Sequence, residues 1–161
     1  MTAAYLGIGS NVGERRLFCR RAVAELEAAE GISVEATSSL YETSPVGGPP
    51  QRSFVNMVAR VATTLEPQDL LDVCKAIERR LGREPSDIRW GPRVVDIDIL
   101  TFGEEKVVEP GLEIPHPRLT QRRFMLVPLL EIDPEASDPW GARYADWVDE
   151  SEGEVRPLEP Y

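Results

Sequence analysis

Two aspartates one residue apart, Asp96 and Asp98, interrupt the apolar run Val94-Val95-Asp96-Ile97-Asp98-Ile99-Leu100-Thr101-Phe102. β-Branched and apolar residues dominate this run, which reads as a strand. Side chains alternate faces along a strand. Both carboxylates therefore point one way, with Cα atoms about 6–7 Å apart, while Val95, Ile97 and Ile99 point the other. Paired carboxylates in apolar surroundings repel each other and lose hydration. A divalent cation relieves both costs, and a hard ion such as Mg2+ takes oxygen ligands. Immediately upstream, Arg89-Trp90-Gly91-Pro92-Arg93 sets two guanidinium groups about a turn, with Arg83 further back. Cationic forks beside a carboxylate pair suit a phosphate chain carried with its metal. The plainer alternative is an edge strand with two solvated aspartates and surface arginines.

Other elements must hold that pair in place. A first buried strand is read at residues 3–8. Gly7-Ile8-Gly9-Ser10-Asn11-Val12-Gly13 follows; it has one residue too many for a dinucleotide-binding G-x-G-x-x-G, and it reads as a turn into a helix capped by Asn11. That helix spans 14–29, with Phe18, Ala22, Leu26 and Ala29 inward and Gly31 at its end. A second strand is read at 32–41. The segment 43–52 holds two glycines and three prolines, which excludes regular structure. A third strand at 53–64 puts Phe54, Asn56 and Val58 on one face, and Val55, Met57, Ala59 and Val61 on the other. Asn56 is the odd residue: a structural amide, or a reader of a flat heterocycle stacked on Phe54.

The periodicity predicts a helix over 66–81, with Leu70, Val73, Cys74, Ile77 and Leu81 inward and Gly82 at its end. Glu78 falls off that stripe, with a neighbouring arginine as its expected partner. Residues 83–92 are irregular, 94–102 form the fourth strand, and 106–109 pair back as a short strand. His116, the only histidine, lies between Pro115 and Pro117. A helix is expected at 122–130. Trp140 and Trp147 are expected to anchor the acidic segment 133–161. The order β-α-β-β-α-β points to an α+β, ferredoxin-like sandwich with a mainly antiparallel sheet and helices on one face. The opposite, open face would carry Phe54, Asn56, Asp96 and Asp98 if their strands are neighbours.

The chain has 161 residues and 42% apolar content, as one globular domain over 1–161 requires. No apolar run approaches a membrane span, and no secretory signal pattern is read at the N-terminus, so a cytoplasmic location is expected. Cys19 and Cys74 read as reduced core residues, with a disulfide as the alternative. The net charge of −10 opposes nucleic-acid binding. Arginines nevertheless crowd 79–93, and local field governs ligand capture. Only Lys75 and Lys106 are lysines among 18 basic residues, so guanidinium groups must carry any phosphate site.

The string Arg89-Trp-Gly-Pro-Arg93-x-x-Asp96-x-Asp98 resembles the signature of the 6-hydroxymethyl-7,8-dihydropterin pyrophosphokinase family of folate biosynthesis. The resemblance runs through Tyr5-Leu-Gly-Ile-Gly-Ser-Asn11, Ser39-Leu-Tyr-Glu-Thr-Ser-Pro45, Phe54-Val-Asn56, Pro115-His116 and Phe124-Met-Leu-Val-Pro-Leu, covering residues 3–133 in the family's order. It implies transfer of diphosphate from ATP to 6-hydroxymethyl-7,8-dihydropterin, with release of AMP and two Mg2+ ions held by Asp96 and Asp98. It further implies catalytic roles for Arg83, Arg93, Asp96 and Asp98. The pterin would meet Thr43, Pro45, Val46, Phe54, Asn56, Trp90 and Phe124, the last opposite Phe54 across the ring. ATP would meet Glu78, Arg89, Arg93, Ile99, His116 and Arg122. The chain departs from the family between Arg83 and Arg89, where Glu84-Pro-Ser-Asp-Ile88 holds no basic residue.

No G-x-x-x-x-G-K-[ST] loop is present, which excludes P-loop cradling of the phosphates. Two other readings remain at this stage. One is a non-catalytic ferredoxin-like module that binds metal or nucleotide. The other is a transferase of AMP, which would release diphosphate instead.

Overall fold

The structure, a computed structural model, describes residues 1–45, 50–82 and 94–161. Strand β1 (Thr2–Ser10) is an inner strand of the main sheet, next to one edge. Ala4, Leu6 and Ile8 alternate into the core beneath it. On one side β1 pairs antiparallel with β4 (Phe54–Thr63), from Thr2 opposite Thr63 to Ser10 opposite Val55. On the other side it pairs antiparallel with β5 (Asp96–Phe102), which forms an edge.

The stretch read as one strand at 32–41 is two, β2 (Ile32–Thr37) and β3 (Leu40–Thr43), both antiparallel to β4. Ser38 causes the break. Its N–H donates to the Val58 carbonyl at 2.8 Å, and its Oγ accepts the Val58 N–H at 2.9 Å. One side chain thus takes the place of a ladder position, and the chain steps sideways between the two strands. Strand β8 (Val155–Glu159) adds antiparallel to β3 and completes the order β5-β1-β4-β3-β8, with β2 also on β4. The short strand predicted at 106–109 forms as β6 (Val107–Glu109), but it pairs with β7 (Leu112–Ile114) in a separate hairpin.

Helices α1 (Arg15–Ala28) and α2 (Pro67–Arg80) cover one face. Leu26, Leu70, Cys74 and Ile77 from the helices meet Leu6, Ile8, Met57 and Ile97 from the sheet, each at most 1% exposed. Each buried Leu or Ile contributes about 1.5–3 kcal/mol relative to solvent. Burial makes Cys19 and Cys74 inert, pushing both thiols up to about 12. Asn11 does not cap α1; it donates to Gln51 Oε1 at 2.6 Å and to the Arg52 carbonyl at 3.3 Å, tying the end of β1 to the approach to β4.

The second face is not open throughout. Helix α3 (Arg123–Ile132) crosses it, and Leu126 and Leu129 pack on Val58 and Leu100. Tyr144, not Trp140 or Trp147, anchors the C-terminal segment there: Tyr144 is 2% exposed, while the two tryptophans are 67% and 38% exposed. A tyrosine ring completes the α3 pocket, and Trp140 instead lies under Lys106, whose Nζ is 4.8 Å from the ring centre.

Candidate active site

β4 and β5 are not neighbours; β1 separates them. The registers nevertheless align the predicted residues in rows across that middle strand. Asp96 on β5 pairs with Gly9 on β1, Gly9 pairs with Asn56 on β4, and Asn56 pairs with Tyr41 on β3. One step along, Asp98 pairs with Gly7 and Gly7 with Val58. The carboxylates and the Asn56 amide thus share a face two strand spacings apart, about 10 Å. Between them β1 presents only glycine, with the Asn56 carboxamide leaning over Gly9 and Leu100 against Gly7, so the floor of the resulting trough is shallow.

The sequence reading missed this floor. The strand read at 3–8 includes Gly7 but stops short of Gly9, which reads as the start of a turn, whereas β1 continues through both to Ser10. Their signal was available: two glycines at a spacing of two, in an apolar strand, mark close approach over one face.

Asp96 and Asp98 are half-buried, with Ile97 and Ile99 in the core behind them, as the alternation predicts. Glu78 steadies this strand from outside. It is 2% exposed, not off the buried side of α2, and its Oε2 accepts the Ile97 N–H at 2.8 Å. Its Oε1 lies 3.7 Å from Lys75 Nζ. A carboxylate from α2 therefore occupies the outer edge of β5 between the two aspartates, where a further strand would otherwise bond. The Ile99 side chain is only 4% exposed and faces the core, which leaves its backbone as the part available for any contact.

On the far side of the trough, Asn56 is 7% exposed and its Nδ2 donates to Thr43 Oγ1 at 2.6 Å. Thr43 is thus spent on orienting the amide. Phe54 is half-buried one pleat further on, and Pro45 is half-buried just beyond β3. Tyr41 donates its hydroxyl to Glu131 of α3, and Glu131 also takes the Ser39 N–H at 3.0 Å, locking the helix to the β2–β3 step.

The start of α3 supplies the third wall. The Arg122 guanidinium lies 5.6 Å from the Phe124 ring centre. Burial and nearby Arg118 weaken the hold of Arg122 on its proton, and Asp98 opposes them, so Arg122 stands within electrostatic reach of the carboxylate pair. His116 donates its backbone N–H to the Leu100 carbonyl at 2.9 Å, which fixes it beside β5. Its Nδ1 accepts the Arg118 N–H at 3.1 Å, so a neutral ring carries its proton on Nε2. Burial first, then Arg122 and Arg118, pushes this imidazole down to about 4. His116 is neutral at physiological pH and can donate from Nε2 to an anion.

Asp96, Asp98, Asn56, Thr43, Phe54, Phe124, His116 and Arg122 are therefore assembled about one trough, with Glu78 outside it at the edge of β5. Val46, Arg83, Arg89, Trp90 and Arg93 lie outside the described residues. Among the described residues no group of three or more His, Cys, Asp or Glu forms a ready-made metal cage. Two half-exposed carboxylates fit a divalent ion that completes its shell with phosphate oxygens and water.

A ferredoxin-like sandwich whose sheet bears a carboxylate pair, a neutral imidazole and a buried amide is the layout of an enzyme that handles a phosphorylated substrate. The profile of the 7,8-dihydro-6-hydroxymethylpterin-pyrophosphokinase (HPPK) family matches residues 5–134. The chain belongs to that family. It is 45% identical over 129 residues to the 2-amino-4-hydroxy-6-hydroxymethyldihydropteridine pyrophosphokinase of Bacillus subtilis (strain 168), covering 80% of this chain and 77% of that protein. The enzyme of the same name from Methylorubrum extorquens is 45% identical over 135 residues, covering 84% and 85%. Among solved structures, Plasmodium falciparum wild-type HPPK-DHPS with pteroate has a TM-score of 0.72 at 16% identity. The match spans 92% of this chain and 42% of that longer one, and it supports the fold.

Proposed function

We infer that this protein transfers the β,γ-diphosphate of ATP to the hydroxymethyl oxygen of 6-hydroxymethyl-7,8-dihydropterin, releasing AMP, in folate biosynthesis. The family membership carries the reaction class. The observation that carries the site is the row Asp96–Gly9–Asn56, which separates a carboxylate pair from a buried amide by one glycine-floored strand. That spacing suits a phosphate chain at one end and a heterocycle at the other.

In this reading Asn56 reads the polar edge of the pterin, held in its rotamer by Thr43. Phe54 and Phe124 enclose the ring, and Pro45, together with Val46 and Trp90 as the family resemblance implies, would contact it. Asp96 and Asp98 would hold two Mg2+ ions, which screen the charge of the triphosphate and fix its geometry. Glu78 keeps β5 straight so that both carboxylates face the trough. His116 donates to a phosphate oxygen from Nε2 without adding charge, while Arg122, with Arg89, supplies positive charge. Arg83 and Arg93 stabilise the charge that develops on the transferred group. The new bond joins the hydroxymethyl oxygen to the β-phosphorus, the hydroxyl proton is lost to water, and the bond from that phosphorus to the bridging oxygen breaks, leaving that oxygen on AMP. The substrates are small molecules, and the location is cytoplasmic.

Product identification tests this. Incubation with ATP, Mg2+ and the hydroxymethyl-dihydropterin should yield AMP and a pterin diphosphate in equal amounts. Release of ADP, or of free diphosphate with an adenylated acceptor, overturns the reading; saturable binding without turnover would mark a non-catalytic module.

A further inference from the structure

Gly9 stands midway along the Asp96–Gly9–Asn56 row. Its backbone does not require glycine, because it is not among the residues with positive φ. Its space does. A Cβ built on Gly9 would fall closer than 3.0 Å to Asn56 Oδ1, 3.4 Å from Asn56 Cγ and 3.8 Å from Phe54 Cδ2. None of those atoms belongs to Asp96. Gly7, two residues earlier on the same face, differs: its Cβ would make an ordinary 3.4 Å contact with the Leu100 side chain.

We propose that Gly9 is a positioning residue for the acceptor pocket: with no side chain there, the Asn56 carboxamide lies flat across β1 and sets where the pterin edge is read. Asn56 is pinned from both sides. Thr43 Oγ1 accepts its Nδ2 proton at 2.6 Å on the β3 side, and its Oδ1 rests over Gly9 on the β1 side. An added methyl at position 9 leaves the amide two choices. It can lift off the sheet, or it can rotate and give up the Thr43 bond. Either choice moves the donor and acceptor that face the trough, and crowds the Phe54 ring beside them. A pocket built to bond a polar edge discriminates steeply once its partner is displaced. The nearest atoms the methyl would meet are those of Asn56 and Phe54, on the acceptor side of the row, while Asp96 pairs with Gly9 from the other side. The inference rests on the function proposed above and assigns Gly9 its part in selecting the acceptor.

A double-mutant cycle tests it. Wild type, Gly9→Ala, Asn56→Ala and the double variant are compared by KM for the hydroxymethyl-dihydropterin, KM for ATP with Mg2+, and thermal melting. Gly9→Ala should raise the pterin KM about tenfold or more and leave the ATP KM within about twofold. In the Asn56→Ala background, where the obstructed oxygen is gone, adding Gly9→Ala should change the pterin KM by less than about twofold. A Gly9→Ala protein that folds only together with Asn56→Ala supports the same contact. Additive losses, equal losses for both substrates, an unchanged pterin KM, or failure to fold in both backgrounds overturns the proposal. A wild type that turns over no pterin refutes the function itself, an outcome distinct from a wild type that is active with an additive cycle.

Discussion

Replacing Glu78 separates its role as an acceptor from its role as a charge. Its Oε2 accepts the Ile97 N–H at 2.8 Å on the outer edge of β5, and the residue is 2% exposed. Glu78→Ala leaves that backbone N–H without this acceptor and opens a void between α2 and the sheet. A hydrogen bond to a charged acceptor contributes about 1.5–3 kcal/mol, and a buried donor left unsatisfied costs about 1–3 kcal/mol. These overlap, so the loss should be about 2–4 kcal/mol in total. For a chain of this size each kcal/mol moves Tm by about 2–4 °C, giving a drop on the order of 5–10 °C. Glu78→Gln keeps an amide oxygen of the same reach. It gives up the charge, including the pairing with Lys75 at 3.7 Å with the lysine 48% exposed, a contact worth at most about 1 kcal/mol. Urea and thermal melts of both variants, with hydrogen exchange at the Ile97 amide, supply the readout. Faster exchange at Ile97 should accompany the alanine variant alone. Equal losses for Gln and Ala, or a wild-type melt for Ala, would refute the edge-clamp reasoning.

Asp96→Ala and Asp98→Ala should each reduce AMP release by about a thousandfold or more and weaken Mg2+-dependent binding of a non-hydrolysable ATP analogue, since one carboxylate makes a poorer cage. Calorimetry with and without Mg2+ checks this, and wild-type-like AMP release from either variant would refute the two-carboxylate site. For His116, the folded protein holds the ring neutral down to about 4, whereas the unfolded chain protonates near 6.5. The unfolded state therefore binds more protons in that window. Stability should be full above pH about 6.5 and fall, by on the order of 3 kcal/mol, as pH drops toward about 4. His116→Asn should flatten that part of the curve in urea melts taken from pH 7 to 4.5, and an unchanged slope would show that other groups carry it.

Much of the architecture was legible in the sequence. The period of 3.6 located α1 and α2 to within a residue or two, and Gly31 and Gly82 close those helices with positive φ. Alternation sorted β4 into Val55, Met57, Ala59 and Val61 against Phe54, Asn56 and Val58, because a pleated strand leaves no other choice. The same rule set Asp96 and Asp98 side by side. Local periodicity reports which residues share a face, and that is all it reports. It does not say which strands meet. Only the assembled sheet shows β1 between β4 and β5, and hence that Gly7 and Gly9 form a floor between the two ends of the site. Likewise, the Ser38 hydroxyl that splits a predicted strand, the Glu78 carboxylate that caps β5 and the Tyr144 ring that seals α3 all act on partners far along the chain. Their chemistry was plain in the sequence, but their partners were decided by tertiary packing, because a hydrogen bond or a buried ring is satisfied by whichever element the fold brings within reach.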